Sequence, residues 1–210
     1  MSIIEKLASS LGRKDEIPNQ ELAMEIIASR NVIAVKELVV HLSDQNKNIQ
    51  SDCIKTLYEI GERAPELISS YVNDFIALLD SKNNRLQWGA MTALNQLTEE
   101  QPVLVYGALP KLAEIVEKGS VITRDNYVAV LIKLMSLEMY SQNAFELLLE
   151  QLKTCPTNQL PMYAENALQS IPSSKKGVFA QTLTMRLDEI DKESKRKRVE
   201  KVIQKVLKSK

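Results

Sequence analysis

Apolar residues recur along this chain at two spacings. Within short runs, Ile54, Leu57 and Ile60 lie three apart, and Phe75, Leu78 and Leu79 lie at i, i+3 and i+4. Both spacings line one face of an α-helix. Between runs the same pattern returns every 37 residues: Ile54, Met91 and Val128 form one column, and Leu57, Leu94, Leu131 and Leu168 a second. Ile60, Leu97, Leu134 and Ile171 form a third. The intervening runs repeat too, as Phe75, Leu112 and Leu149, and as Leu78, Ile115 and Leu152. The residues differ while the polarity holds, as expected of a shared packing position. The first backward step is weaker: Phe75 and Leu79 lead to Leu38 and Leu42, but Leu57 leads to Gln20.

Helix breakers fall between the apolar runs, at Pro65, Asp80–Asn84, Pro102, Lys118–Ser120, Cys155–Asn158 and Pro172. Proline is tolerated in a first helical turn, where its missing N–H would be unpaired anyway, so Pro65 and Pro102 read as helix starts. The pattern predicts helices near 2–11 and 19–29. Five helix pairs follow: 32–43 with 47–61, 66–80 with 84–98, 103–118 with 122–136, 140–154 with 158–171, and 175–190 with 193–208. No Gly-, Ser- or Pro-rich stretch is long enough for an interdomain linker. The expectation is therefore one repeat domain over 1–210, with capping helices in 1–30, central repeats in 32–171 and a C-terminal repeat or cap in 175–210. A lone helix pair cannot bury both of its apolar faces; stacked pairs can, with special units at the ends.

The segment "FIALLDSKNNRLQWGAMTAL" from Phe75 to Leu94, with Asp80 in its loop and Arg85 early in its second helix, resembles a HEAT repeat. "LVVHLSDQNKNIQSDCIKTL", with Asp44 in the loop, is similar, and the resemblance covers roughly residues 30–210. Lys153 and the "CPTN" loop depart from the pattern. The fold it implies is all-α: a right-handed α–α superhelix, or solenoid, of about five HEAT-like pairs with extra N-terminal helices. In such proteins the second (B) helices line the concave surface. The column Gln50, Gln87 and Arg124, with Trp88 beside it, is then the candidate partner-binding face, and Arg124 is able to grip a carboxylate by two prongs. Trp88 has Ser51 and Asp125 as its equivalents in the neighbouring units, which differs from the recurring Trp and Asn of peptide-binding armadillo repeats.

Composition sharpens this picture. The chain is 44% hydrophobic and 5% aromatic, with six Gly and seven Pro, which suits helices better than sheets. Its formal charge is zero, but 191–210 holds nine Lys or Arg against three acids, so 1–190 carries −6. Lys195, Arg196, Lys197, Arg198 and Lys201 make a basic patch. Val199, Val202, Ile203, Val206 and Leu207 draw an apolar stripe down the same helix. The stripe favours a docked final cap that still presents its cations. Cys53 and Cys155 belong to no paired motif and read as reduced, buried thiols. Glu5 and Lys6 interrupt the apolar N-terminus, unlike a secretion signal, and no run reaches a membrane span; the expectation is a soluble, cytoplasmic protein.

The single histidine, His41, cannot assemble a metal site and is followed by Leu42, so the His–Glu pairs of HEAT-repeat di-iron hydroxylases are missing. No phosphate loop, nucleophile elbow or zinc spacing occurs, so no catalytic residue, metal or cofactor is expected. The leading expectation is a non-enzymatic module that binds a protein or peptide. Its competitor resembles HEAT-like DNA glycosylases, with Arg124 and the 195–201 cluster on phosphates.

Overall fold

A computed structural model describes residues 2–208, and Lys210 of the basic tail lies outside them. Its regular structure is helical. In chain order the α-helices are α1 (Ile17–Ser29), α2 (Val32–Val40), α3 (Lys47–Arg63), α4 (Val72–Leu78), α5 (Asn84–Leu97) and α6 (Pro102–Gly107). There follow α7 (Leu109–Lys118), α8 (Val121–Met135), α9 (Glu138–Thr154), α10 (Leu160–Ala167), α11 (Lys176–Met185) and α12 (Glu193–Lys208). The described residues fall into two compact units, 2–127 and 128–208.

In the first unit α3 is sandwiched: α2 packs on one side as its pair, while α1 and α5 pack as neighbours. The next pair, α4 with α5, repeats the arrangement, and α4 also meets α6. In the second unit α9 pairs with α10 and α11 with α12, and the pairs join through α9–α11 and α10–α12. This is the alternation that the 37-residue period predicts. Its columns are the core: Ile54, Met91 and Val128, then Leu57, Leu94 and Leu131, then Ile60, Leu97, Leu134 and Ile171, and Phe75, Leu112 and Leu149 are all buried. Each such aliphatic side chain contributes about 1.5–3 kcal/mol of burial free energy.

The starts of the B helices are fixed by side chains at the same period. Asn46 accepts the Asn48 N–H, Asn83 accepts the Arg85 N–H, and the Ser120 hydroxyl accepts the Thr123 N–H. Each supplies the acceptor that an exposed first turn lacks. Asn46, Asn83 and Ser120 are again 37 apart.

Three predicted helices are remodelled. Residues 66–71 form two 3-10 turns, Pro65–Leu67 and Ser69–Tyr71, so that α4 begins only at Val72. The helix expected over 103–118 is broken into α6 and α7, because Pro110 brings no N–H to continue the ladder and sits instead in the first turn of α7. The N-terminal helix expected over 2–11 is a 3-10 turn, Ile3–Lys6, ending in a loop with Gly12 at φ 69°. That segment is nevertheless docked. Leu7 and Ala8 are buried, and Asn19 accepts the Ala8 N–H at 3.0 Å while donating to Asp52 at 2.8 Å. Asp52 in turn accepts the Ser9 N–H at 2.8 Å.

The last pair carries a substitution of kind. Arg186 stands one period after Leu149 in the apolar column, and it is buried. Its guanidinium donates to the Leu152 and Cys155 carbonyls at 2.6 and 3.0 Å and to Glu189 at 2.7 Å. The cation thus closes the carbonyl end of α9, where the helix dipole favours positive charge.

Close approach of α3 and α5 depends on Gly89. A Cβ there would lie 2.6 Å from Cγ1 and 3.2 Å from Cγ2 of the buried Ile54, atoms stiffly tied to their own backbone. Gly89→Ala is therefore expected to destabilise by about 1–3 kcal/mol through overpacking, despite the better helix propensity of Ala. Gly177→Ala in α11, where no atom lies within 4 Å, is expected to stabilise by up to about 1 kcal/mol. Thermal denaturation of the two variants checks both signs.

Candidate functional site

The outward rows of the B helices in the first unit define the candidate surface. On α3 the row is Ser51, Lys55 and Tyr58; on α5, one period later, it is Trp88, Thr92 and Asn95. All six are half-buried. The Tyr58 and Trp88 rings are tilted 48° with centroids 5.8 Å apart, an edge-to-face type of contact across the two helices. The Lys55 ammonium sits 4.8 Å from the Tyr58 ring centroid.

Beneath the rings lies a charged layer. Lys55 bridges Glu16 at 2.8 Å and Glu59 at 2.7 Å, and Glu59 also takes Arg63 at 3.0 Å. The Lys55 and Glu59 side chains are 12% and 11% exposed. Burial pushes the Lys55 ammonium down, but its bonds to Glu16, Glu59 and Tyr58 together raise it. Burial likewise pushes Glu59 up, and its bonds to Lys55 and Arg63 outweigh this and hold it below its ordinary 4.5. Burial raises the Tyr58 phenol. The Tyr58 ring thus lies against an ammonium that is itself ion-paired.

On the α5 side a short amide ladder continues the surface. Asn126 of α8 donates to Thr92 Oγ1 at 3.1 Å and accepts from Asn95 at 2.9 Å, while its amide also reaches the Ile122 carbonyl at 3.0 Å. Both N–H groups and the oxygen of the Asn126 amide are thus bonded within the fold, tying α8 to the Trp88 row of α5.

The residues singled out from sequence take varied places. Gln50 donates to the Asp44 carbonyl at 2.7 Å and accepts from Asn83 at 2.9 Å. Gln87 donates to the Leu79 carbonyl at 2.9 Å. Both glutamines, one period apart, therefore tie a B helix back to the end of the preceding A helix through one amide N–H each. Arg124 is half-buried on α8, and among the described residues its guanidinium has no hydrogen bond or ion pair. Trp88 is the member of that set on the aromatic row. Gln50, Gln87, Trp88 and Arg124 are all half-buried, on the B helices α3, α5 and α8.

The basic cluster on α12 is internally matched. Lys195 donates to the Asn158 carbonyl and side chain at 3.2 and 2.6 Å; Arg196 reaches Asp188 and Glu200 at 3.2 and 3.4 Å. Lys197 pairs with Glu193 at 2.6 Å, and Arg198 grips Glu165 of α10 with two bonds of 2.8 and 2.6 Å. Arg198 holds the Glu165 carboxyl below its ordinary value, and Glu165 raises Arg198. Lys201 remains exposed next to this pair. The stripe residues Val199, Val202 and Val206 are buried, so α12 is docked. His41 Nδ1 lies 2.9 Å from Asp44 Oδ2, a hydrogen bond in the α2–α3 loop. Among the described residues no helix is long and apolar enough to cross a membrane.

Sequence reasoning missed Lys55, Tyr58, Thr92, Asn95 and Asn126. Their signal was present: counting forward from Trp88 at i+4 and i+7, and back by one period, lands on four of the five. The sequence reading followed the neighbouring row.

No protein-family model matches the chain, and no curated protein does so significantly. Solved structures do. An engineered protein at 23% identity superposes with TM-score 0.64, covering 100% of each chain. A second engineered protein, at 20% identity, gives 0.59 over 98% of each. A computationally designed armadillo repeat protein for modular peptide recognition, 16% identical, gives 0.63 over 97% of this chain and 98% of its own. The likeness shows the fold, an all-α helical repeat.

The charged layer makes a test of the site's support. Because Glu59 is held below its ordinary 4.5, its contribution is complete above that value and is lost as pH falls through the lowered one. Glu59→Gln is expected to cost about 1.5–3 kcal/mol near neutral pH. The gap from wild type should close as pH drops below 4.5, as urea denaturation across pH will register.

Proposed function

We propose that this protein is a non-enzymatic binding module that holds a peptide segment of another protein along the α3–α5 face. The observation that carries the reading is the Tyr58–Trp88 ring contact, with both rings half-buried and Lys55 over Tyr58. Large rigid rings with one open edge offer area at low entropic cost, and such residues dominate interface energies. The Asn95–Asn126–Thr92 bonds support it by holding Thr92 and Asn95, the polar members of the Trp88 row, in place. A further support is the likeness to a repeat protein designed for peptide recognition. Helical repeats present such rows on a preformed surface, so binding needs little rearrangement.

Nucleic-acid processing has less to stand on. The cations at 195–198 already hold partners on α10, on α12 and in the segments just before them, and each phosphate contact would have to displace one.

Peptides selected from a displayed random library against the whole chain test the reading. Since Trp88 is the only tryptophan, bound peptides are expected to shift its fluorescence. Trp88→Ala is expected to weaken them by about tenfold or more and Trp88→Phe by less. Selected peptides that bind Trp88→Ala and Tyr58→Ala as tightly as wild type would overturn it.

A further inference from the structure

A cavity of about 660 Å³ opens where the segment 8–16 faces the first turns of α3 and α5. Ser51, which heads the α3 row, is part of its wall. The wall carries four cations, Arg13, Lys14, Lys47 and Arg85, and three acids, Asp15, Glu16 and Asp52.

The acids are all satisfied within the fold. Asp15 takes Arg13 through two bonds of 2.8 and 2.9 Å and the Ile17 N–H at 3.1 Å. Glu16 takes Lys55 at 2.8 Å. Asp52 accepts from the Ser9 N–H and the Asn19 amide, both at 2.8 Å. Of the cations, only Arg13 is matched. Among the described residues Lys14, Lys47 and Arg85 have neither an ion pair nor a side-chain hydrogen bond. The N-terminal ends of α3 and α5 are already capped by Asn46 and Asn83. The unspent capacity is therefore in the three side chains.

We propose that this cavity binds a carboxylate-rich peptide segment. Three cations on three separate elements suit several singly charged groups spread along a chain. A dianionic phosphate is best met by donors converging on one point, whereas these three rise from the segment 8–16, α3 and α5. A nucleic-acid backbone carries unbroken negative charge. Here only three unpaired side chains line the wall, enough for a few carboxylates and too few to follow such a backbone. The inference goes beyond the aromatic face, and its assay does not involve Trp88, so each reading stands or falls alone.

Fluorescein-labelled hexaglutamate, titrated with the whole chain and read by anisotropy at low salt, supplies the test. Binding is expected, with a loss of about tenfold or more in the triple variant Lys14→Glu, Lys47→Glu, Arg85→Glu. The double variant Lys201→Glu, Lys205→Glu on α12 is expected to bind as wild type does. If circular dichroism shows the triple variant unfolded, Lys47→Gln with Arg85→Gln is expected to give a smaller loss in the same direction. No binding by wild type, binding undiminished in the charge variants, or an equal loss in the α12 variant overturns the proposal. So does tighter binding of a phosphoserine peptide or a single-stranded oligonucleotide that the same charge variants abolish.

Discussion

A paired α-helix has an apolar face for its mate and a second that its mate cannot reach. The fold answers that constraint by giving each interior B helix neighbours of the same kind. α3 meets α1 and α5 as well as its partner α2, and α10 meets α12. The distance between such neighbours is set by the smallest residue between them, and at α3–α5 that residue is Gly89 against Ile54. Everything proposed for the surface hangs on that spacing. The Tyr58 and Trp88 rings touch because the two helices are close, and Lys55 and Glu59 are half-enclosed for the same reason.

The architecture was legible in the sequence because burial tolerates exchange among apolar residues while forbidding charge. Columns such as Leu57, Leu94 and Leu131 are visible to a periodic count and buried in the fold. Local backbone chemistry was less legible. Pro110 falls inside an unbroken apolar run, and only its place in the first turn of α7 reveals a helix start. Arg186 breaks the apolar column, and its role in closing α9 depends on carbonyls about one period upstream. The candidate surface was half legible. Trp88 stood out by rarity, whereas Gln50 and Gln87 were read as outward because a polar side chain on a helix gives no sign of which carbonyl it will reach.

Charge follows the same division between spent and unspent groups. The eye is drawn to the run from Lys195 to Arg198, yet each of these cations already has a partner. Exposed pairs of this kind add little stability; here they fix the register of α12 on α10. The cations that keep their capacity lie scattered at Lys14, Lys47 and Arg85, where no run of basic residues advertises them.

The ties between repeats have a common reach. Asn83 to Gln50 spans 33 residues, Asn126 to Thr92 spans 34, Arg198 to Glu165 spans 33 and Lys195 to Asn158 spans 37. Each bond joins a helix pair to the pair just before it. A chain wired in this way resembles beads with nearest-neighbour coupling, so loosening one junction need not release those beyond it. Amide hydrogens would then exchange with solvent in a graded order: soonest in helices held from one side, such as α12, and latest in α3, which is held from both.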